Sequence, residues 1–439
     1  MDACGGSRSD ESTGPASQRL GECPMTRPRP DVSRAREATM VALLCIAYGV
    51  VNVDLLGINF LIPFIKPALS LTNGQVGLLI AGYWASFAAG SWLGGRQIDR
   101  ARSPKRLLVA LLVIFALTSP LSGFTADFGW LLAARVLVGA VDGPIAALVQ
   151  SLIAMESADS RRGLNVAIVQ SLGSSILGAS VGPLLLVYLA RTHGWRYGFF
   201  VAPVPALVCA ALVFYLLSDL ERRSCIAYRA RKAGEVMEMN STLSVILSRN
   251  VIWCAAGGAF LAGFMWITMG FLPLLWVDTR HISAESMSFI MAVLGVSAMV
   301  LCIGLPVISD RVGRKPVLVL ASILGLLLPV VALDVRASTL VLAVLLAVTW
   351  TPVGLSSLFM ATVPAESVAP ESIATAVGFA TAFGTFAGGV IAPPLAGWSA
   401  DHWGQRAPMA LVAACALGAT LASIMTRELK WCGAPRAAH

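Results

Sequence analysis

The sequence predicts an all-α membrane protein with about twelve transmembrane helices in two pseudo-symmetric halves of six helices each. The first observation behind this prediction is composition. Of 439 residues, 57% are hydrophobic and 13% are charged, and the mean hydropathy is +0.77. This leaves too few polar side chains to cover a soluble globule of that length. The second observation is the recurrence of long apolar segments, because a helix of roughly 20 residues crosses a hydrocarbon core about 30 Å thick.

The apolar segments are continuous, which indicates helices. Strands of a membrane barrel would instead appear as short segments of alternating polarity, and only helices and closed barrels satisfy the backbone in lipid. The sequence predicts six spans in the first half, near residues 38–63, 74–95, 107–125, 129–155, 164–190 and 197–218. It predicts six more in the second half, near residues 251–277, 286–308, 316–334, 338–362, 372–397 and 407–426.

Polar segments mark the predicted domain limits. The first 37 residues are rich in Ser, Arg, Pro and Gly and lack an apolar signal-peptide core, so we predict a disordered cytoplasmic tail and no signal peptide. A second polar stretch separates the two sets of spans and predicts a cytoplasmic loop. The predicted units are the tail 1–37, the N-terminal bundle 38–218, the central loop 219–250, the C-terminal bundle 251–426 and the tail 427–439.

The distribution of lysine and arginine predicts the orientation. With the N-terminus taken as cytoplasmic, 25 of the 32 basic residues fall on that side. The asymmetry places both termini in the cytoplasm of a multi-pass cell-membrane protein, in the inner membrane if the source is bacterial. The net charge of +8 is then a topology signal and not a sign of nucleic-acid binding. The opposite side carries Lys66, Arg191, Arg196, Arg280, Arg336 and Arg406.

The distribution of cysteine and histidine argues against a metal site, a cofactor or a disulfide framework. The nine cysteines are dispersed without a Cys-x-x-Cys pair. The four histidines show no His-Glu-x-x-His spacing. A Gly-rich phosphate loop of the ATPase type is absent from the sequence, so ATP-driven pumping is not expected. A membrane-embedded enzyme is disfavoured on these grounds, while a receptor that does not transport remains an alternative class.

Three charged residues lie deep inside predicted spans. Asp54 is on the first span, and Arg135 and Asp142 are two turns apart on one face of the fourth. A charge at such depth costs several kcal/mol unless it is paired or faces water, so these residues are candidate functional groups. A buried carboxyl can carry a proton if a neighbouring arginine moves between two conformations, which is the chemistry of proton coupling. The alternative is that Arg135 and an aspartate form a static pair.

One motif occurs at equivalent places in the two halves, where a long apolar segment ends in Asp-Arg and a basic cluster. Such duplication is typical of secondary transporters. A carboxylate at the end of a span can cap a neighbouring helix and hold arginines across the interface between the halves. We therefore predict a conformational latch, with ordinary positive-inside residues as the alternative. The latch residues are Gly95, Asp99 and Arg100 in the first copy, and Asp310, Arg311, Gly313 and Arg314 in the second.

These motifs resemble those of the major facilitator superfamily, and the resemblance covers residues 38–426. The loop motif of the superfamily matches in both copies, with Lys105 and Arg106 added to the first and with Arg102 in place of its usual glycine. The fourth span carries the superfamily's Arg-x-x-x-Gly at Arg135 and Gly139. The resemblance implies alternating access by two rocking halves, with the latch stabilising the outward-open state. One chain supplies the whole cavity, so a monomer suffices.

Several stretches resemble the anion:cation symporters, which import organic acid anions with protons. They include Arg135 to Gly139 followed by Asp142-Gly143, then Arg162-Gly163, Gly178-x-x-x-Gly182-Pro183, and Gly194-Trp195-Arg196 with Phe199. This resemblance implies that Asp54 and Asp142 carry protons, and that Arg135 couples them and contacts the substrate. One departure bears on the substrate. Leu55 stands where that family has an arginine for the substrate carboxylate.

A proton-coupled drug or metabolite exporter is the alternative function. Gly178, Gly182 and Pro183 also match a fifth-span motif of such exporters, although Leu186 and Val187 replace its closing double glycine. Close helix packing explains these glycines under either function. The remaining expected partners are a small-molecule substrate, protons and the lipid bilayer. Candidate substrate-binding residues are Arg135, Asn52, Asn59 and Trp266.

Overall fold

The structure is a computed structural model that describes residues 34–100, 103–157, 161–216, 245–369 and 372–427. Within these ranges the side chains of residues 35–36, 95–100, 154–156, 162–164, 167 and 374 are outside the description. All regular secondary structure in the described ranges is helical. The predicted all-α fold class is therefore confirmed.

Within the described ranges twelve helices are long and apolar enough to cross a membrane, which confirms the predicted number. The first half contains the spans Glu37–Ala68, Asn73–Gly94, Pro104–Ser122, Phe128–Ile153, Ile168–Thr192 and Arg196–Leu216. The second half contains Arg249–Asp278, Ala284–Val312, Arg314–Asp334, Thr339–Glu366, Thr375–Trp403 and Ala407–Met425. The first helix itself begins at Arg34, so the end of the predicted tail is helical. The side at which the first span begins is called the inner side below, following the predicted orientation, and the opposite side the outer side.

Local sequence signals explain where several spans begin and end. The Ser103 hydroxyl and the Asp127 carboxylate each accept a hydrogen bond from a backbone N–H in the first turn of the helix that follows, at 3.4 Å and 2.8 Å. Ser338 caps the tenth span in the same way. At the other end, the eighth span stops at Gly313 and the eleventh at Gly404, with φ of 108° and 87°. A residue with a side chain rarely adopts this left-handed conformation, so glycine ends the helix at both places.

Three spans contain a stretch of π-helix. These stretches cover Leu172–Val181 in the fifth span, Leu358–Thr362 in the tenth and Ala387–Ile391 in the eleventh. The fifth and eleventh spans hold the same place in their respective halves, so the distortion repeats with the pseudo-symmetry. Because π-helical turns are rare and concentrate at functional sites, both spans are candidates for elements that change shape.

The interface between the halves is built by the inner ring of helices. The first and seventh spans are the most buried and contact each other, while the second packs against the eleventh and the fifth against the eighth. Small residues permit the close approach. A Cβ atom placed on Gly295 of the eighth span would lie 2.6 Å from the carbonyl carbon of Ala179 on the fifth. The third, sixth, ninth and twelfth spans lie outside this ring.

Candidate functional site

A buried ion pair lies inside the N-terminal half. The Arg135 Nη1 is 3.1 Å from Asp54 Oδ2, and both side chains are fully buried. Ser119 donates to Asp54 Oδ1 at 2.5 Å, and Arg135 donates from Nε and Nη2 to the Ser122 hydroxyl at 3.0 and 2.7 Å. The guanidinium carbon is 5.1 Å from the centre of the Phe199 ring. The pair is therefore well supplied with partners in a low-dielectric environment.

The pair and the residues around it belong to the first, third, fourth and sixth spans of the N-terminal half. The two serines belong to the short 3-10 turn Ser119–Ser122 at the outer end of the third span. The hydrogen bonds and the ring contact of Arg135 all go to residues of the N-terminal half. This enclosed position matches the static-pair alternative, and it leaves the guanidinium closed to a solute in this conformation. The roles predicted for Asp54 and Arg135 stay predictions.

Asp142 lies in a different setting on the same helix. Tyr83 of the second span donates from its hydroxyl to Asp142 Oδ2 at 2.6 Å. The other oxygen, Oδ1, is buried and has no hydrogen-bond partner among the described residues, and Asp142 forms no ion pair within the same part of the chain. Burying a carboxylate without a cation is costly. Arg135, two turns away, is bound to Asp54 instead.

The second and fourth spans bring Tyr83 and Asp142 together because glycines let the two helices touch. Gly139 packs directly against the backbone of Tyr83, and a Cβ on Gly143 would lie 2.6 Å from the amide nitrogen of Ser91. These glycines therefore hold the backbones of the two helices close together, which keeps the Tyr83 hydroxyl against the Asp142 carboxyl.

An aromatic cluster joins this carboxyl to the opposite half. The ring of Tyr83 lies 5.7 Å from that of Trp84 and 6.2 Å from that of Phe87. Trp84 in turn lies 4.4 Å from Trp266 of the seventh span, centre to centre. Trp266, predicted as a substrate-binding residue, is therefore one ring away from the residue that binds Asp142. The cluster Tyr83, Trp84, Phe87 and Trp266 is called the aromatic bridge below.

Tyr83 and Trp84 were missed by sequence reasoning. The signal that could have found them is their depth. Tryptophan and tyrosine concentrate at the ends of spans, where they anchor at the membrane interface. Tyr83 and Trp84 lie instead about halfway along Asn73–Gly94 and are buried. An adjacent pair of large amphipathic rings in mid-span indicates a helix contact or a ligand contact.

The two candidate asparagines, Asn52 and Asn59, lie where the first span contacts other helices. Asn52 donates from Nδ2 to the Tyr48 carbonyl at 2.8 Å, and a Cβ on Gly178 of the fifth span would lie 2.8 Å from the Cβ of Asn52. Asn59 is buried, and its Oδ1 has no hydrogen-bond partner among the described residues. A Cβ on Gly270 of the seventh span would lie 3.9 Å from this oxygen, so Asn59 faces the opposite half.

The predicted packing residues of the fifth span differ in their surroundings. Gly178 is in tight contact with the first span, as described above. At Gly182 a Cβ would meet its nearest neighbour at 3.5 Å, an ordinary contact, so this glycine is not required by a close approach. Pro183 is buried at the start of the α-helical turn that follows the π-helical stretch.

Polar contacts between the halves cluster at the outer ends of the spans. The Lys66 Nζ is 3.3 Å from Asp278 Oδ2, which links the first and seventh spans. Asp401 at the end of the eleventh span accepts from the backbone N–H of Asn73 and Gly74 at 2.9 and 2.7 Å. A third contact pairs Arg191 of the fifth span with Glu285 of the eighth. The outer side is closed by these contacts, here called the outer gate.

The second copy of the latch motif is held within the C-terminal half. Arg314 pairs with Asp310, and it donates to Glu366 Oε1 at 2.7 Å and to the Ser309 hydroxyl at 2.7 Å. Arg311 is exposed on the inner side. Of the first copy, Gly95, Asp99 and Arg100 belong to the helix Asn73–Arg100, and their side chains lie outside the described residues. Among the described side chains, the polar contacts between the halves are those of the outer gate and a hydrogen bond beside them, from Gln405 Nε2 to Asn73 Oδ1 at 3.1 Å.

Curated relatives of this chain are transporters. It is 25% identical over 283 residues to the hexuronate transporter of Bacillus subtilis, covering 64% of this chain and 66% of the relative. It is 29% identical over 299 residues to a protein of Cupriavidus pinatubonensis named "Probable 4-methylmuconolactone transporter", covering 66% and 67%. A protein of Cupriavidus necator named "Probable sulfoacetate transporter SauU" is 21% identical over 286 residues, covering 63% and 65%. The chain thus spans about two thirds of the length of these relatives.

Solved structures share the fold. A bacterial homologue of the lysosomal transporter Spinster, in an inward-facing and unoccupied conformation, aligns with a TM-score of 0.72 at 15% identity, covering 90% of this chain and 98% of that one. The nucleoside transporter NupG aligns with a TM-score of 0.72 at 12% identity, covering 89% and 100%. Residues 44–393 match the sequence model of the Major Facilitator Superfamily, and the chain belongs to that superfamily.

Proposed function

We propose that this chain is a proton-coupled secondary transporter that moves a small organic acid anion across the cell membrane by alternating access. The observation that carries the proposal is the carboxyl of Asp142. It is fully buried, accepts one hydrogen bond from Tyr83, and has a second oxygen without a partner among the described residues. It also lies beside the aromatic bridge, which connects the two moving halves.

The surroundings of Asp142 suit a group that gains and loses a proton. In the closed conformation the neutral acid is the cheaper form to bury, because a carboxylate without a cation pays the full cost of desolvation. When water reaches the site, hydration stabilises the ionised form and the proton leaves to a water molecule. Asp142 therefore takes up a proton from one side and releases it to the other as access alternates.

The outer gate supports alternating access. Three ion-pair or capping contacts close the outer ends of the spans, and the ring of Trp84 packs against that of Trp266 at a tilt of 49°. For the outer side to open, these contacts must break and the two indole rings must part. Because Trp84 is next to Tyr83, separation of the halves displaces Tyr83, the residue that donates to Asp142. Proton binding and the rocking motion are coupled through this path.

The latch motifs act on the inner side in this proposal. With the outer gate closed, Arg314 binds Asp310 and Glu366 of its own half. In the outward-open state the inner ends approach, and Asp99 and Asp310 with their arginines hold the halves together there. The orientation follows from the charge distribution, with both termini in the cytoplasm. One chain supplies both sides of every contact named, so a monomer is sufficient.

Relatives support an organic anion as the substrate. Two of the names given above, hexuronate and sulfoacetate, are those of organic acids. Within the described spans Arg135 is the cation at depth, and it is bound to Asp54. Compensation of a substrate charge then comes from the proton that travels with it, or from Arg135 after it leaves Asp54. The latter requires a rearrangement inside the N-terminal half.

An exporter of cationic or amphipathic compounds is the second candidate. The same Asp142 and the aromatic bridge would suit a cation, because a carboxylate and several ring faces attract positive charge. A multidrug resistance protein of Dickeya zeae is 26% identical over 272 residues of this chain. The anion proposal is preferred because the first relatives carry the names of small organic acids.

Proton flux in proteoliposomes tests these alternatives. The purified protein is reconstituted with a pH-sensitive dye inside, and galacturonate, sulfoacetate, benzoate and the cation ethidium are added outside in turn. The proposal predicts internal acidification with a carboxylate or sulfonate, and none with ethidium. Proton movement opposed to ethidium would move the assignment to an exporter. An Asp334→Asn protein, which loses an exposed carboxylate, is the control. It shows whether the loss of a carboxyl group in itself changes the proton flux.

A further inference from the structure

Half of the basic residues predicted on the outer side converge on one cavity. The three are Arg280, Arg336 and Arg406, and the cavity has a volume of about 710 Å³. They come from three different loops, which follow the seventh, ninth and eleventh spans. Because basic residues are scarce on the outer side of this chain, three around one cavity need a physical explanation.

The other three outer cations have partners. Lys66 and Arg191 form the ion pairs of the outer gate described above. Arg196 stacks on the ring of Trp195, with its guanidinium carbon 4.4 Å from the ring centre. Their positions are explained by contacts within the protein. Of the cavity arginines, Arg280 is bound to two backbone carbonyls, whereas the side chains of Arg336 and Arg406 have no hydrogen bond or ion pair within the described residues.

Arg280 is held rigidly at the wall of the cavity. It donates to the carbonyl oxygens of Ala332 and Val335 at 2.9 and 2.5 Å, where the helix Leu328–Asp334 ends. A cation at a helix C-terminus is favourable. Arg280 forms no ion pair within the described residues, however. Burial, and after it the nearby Arg336, lower the pKa of the Arg280 guanidinium, while Asp334 offsets part of this effect.

Arg336 and Arg406 reach the cavity without a partner of their own. Both are exposed, and neither side chain forms a hydrogen bond or an ion pair with any described residue. Two free guanidinium groups and one anchored group therefore surround the same space. Like charges this close repel one another, and an anion between them would remove that repulsion and accept their hydrogen bonds.

The rest of the lining combines apolar and polar residues. The apolar side chains suit the carbon skeleton of a small molecule, and the hydroxyl groups can bind an oxygen atom. The apolar members are Leu275, Ile282, Ile290, Leu333, Ala337 and Leu342, and the polar members are Thr279, His281, Ser338 and Thr339. A ligand that fits both kinds of wall carries an anionic group at one end and an apolar body at the other.

We propose that this cavity is a second ligand site, on the outer face of the C-terminal half, that binds the oxyanion group of a small amphipathic anion. The oxyanion is a carboxylate, sulfonate or phosphate held by Arg336 and Arg406 against the fixed Arg280. The site is separate from Asp142, which lies within the N-terminal half, and from the aromatic bridge, which joins the two halves. Binding there does not depend on proton coupling or transport.

Calorimetric titration of the full-length protein in phosphatidylcholine nanodiscs tests the proposal. The probes are benzoate and benzamide, which share a ring and differ in charge. Benzoate is expected to bind, and benzamide to bind at least about tenfold more weakly. Arg336→Gln and Arg406→Gln should each weaken benzoate binding about tenfold, since each removes a charge-assisted hydrogen bond. Arg196→Gln, which removes an outer arginine outside the cavity, should leave benzoate binding unchanged.

Two further arms separate the possible outcomes. The loss of benzoate binding in the double arginine variant, which carries both Arg336→Gln and Arg406→Gln, should be equally large when Asp142→Asn is added, so a failure of the transport proposal would not affect this result. Phosphatidylglycerol nanodiscs distinguish the sources of the oxyanion. Benzoate binding that is weaker there than in phosphatidylcholine discs for the wild type, but not for the double arginine variant, identifies a lipid headgroup as the occupant. A wild-type affinity that is the same in both discs identifies a soluble anion. Equal binding of benzoate and benzamide, or unchanged benzoate binding in the double variant, would overturn the proposal.

Discussion

Tyr83 donates a hydrogen bond of 2.6 Å to Asp142, and this bond joins the second and fourth spans at the buried carboxyl of the N-terminal half. The next residue, Trp84, packs on Trp266 of the C-terminal half. Two adjacent residues of one helix thus contact the proposed proton carrier and the opposite half. Any motion that separates the halves acts on the helix that positions Asp142.

Replacing Tyr83 by Phe should destabilise the protein without preventing its folding. The change leaves both oxygens of Asp142 buried without a donor, which costs about 1–3 kcal/mol. Tyr197→Phe is the matched control, because Tyr197 is about half exposed. The free energy of unfolding in detergent should fall for Tyr83→Phe and stay constant for Tyr197→Phe. Equal stability of the two variants would show that the bond to Asp142 is unimportant.

The Asp54 and Arg135 pair offers a test between a static role and a coupling role. Arg135→Gln alone leaves a buried carboxylate without a cation and should cost about 3–5 kcal/mol. The double variant, with Asp54→Asn added, removes both charges and should recover much of that loss. Proteoliposome transport by the double variant then separates the roles: retained proton-driven uptake indicates a static pair, and lost uptake with restored stability indicates coupling.

Loss of the Asp401 charge should open the outer gate. This carboxylate accepts from the first N–H groups of the second span, where the helix dipole adds to the attraction. Asp401→Asn should raise the outward-open population, seen as longer distances between spin labels at Phe124 and Trp403, both exposed on the outer side. Asp334→Asn, an exposed carboxylate outside the gate, is the control. An unchanged distance distribution in Asp401→Asn would contradict the gate.

Two glycines of the fifth span should respond differently to the same substitution. Gly178→Ala places a Cβ 2.8 Å from the Cβ of Asn52, so the first and fifth spans must move apart at a cost of about 1–3 kcal/mol. At Gly182 the nearest neighbour would lie at 3.5 Å, and Gly182→Ala should be nearly neutral. Thermal unfolding of the two variants checks this. A Gly178→Ala protein as stable as Gly182→Ala would show that the close contact at Asn52 does not matter.

The twelve spans could be predicted because hydropathy alone decides whether a segment is stable in lipid. Their limits shifted by a few residues, as at Arg34, where a polar turn extends the first helix. The π-helical stretches, such as Leu172–Val181, could not be predicted, since they depend on how a glycine-rich helix packs against its neighbours. The assignment of domain limits stays a prediction.

The candidate site was predictable in its charges but not in its contacts. Charged residues in spans stand out in a sequence, so Asp54, Arg135 and Asp142 were identified. Helical spacing placed Arg135 and Asp142 on one face, yet Arg135 binds Asp54 of another helix. Tyr83 was missed because hydropathy does not separate a ring that faces lipid from one that binds a buried carboxyl. Contacts between spans require the helix packing, which one sequence does not reveal.

The central claim is that Asp142 carries the coupled proton, and one comparison tests it most directly. Wild-type and Asp142→Asn proteins are reconstituted, and uptake of a transported carboxylate is measured twice, as exchange without a pH gradient and as accumulation driven by one. Asparagine keeps the shape and can still accept from Tyr83, so the variant should fold and exchange the solute while losing gradient-driven accumulation. Normal accumulation by Asp142→Asn would contradict the account.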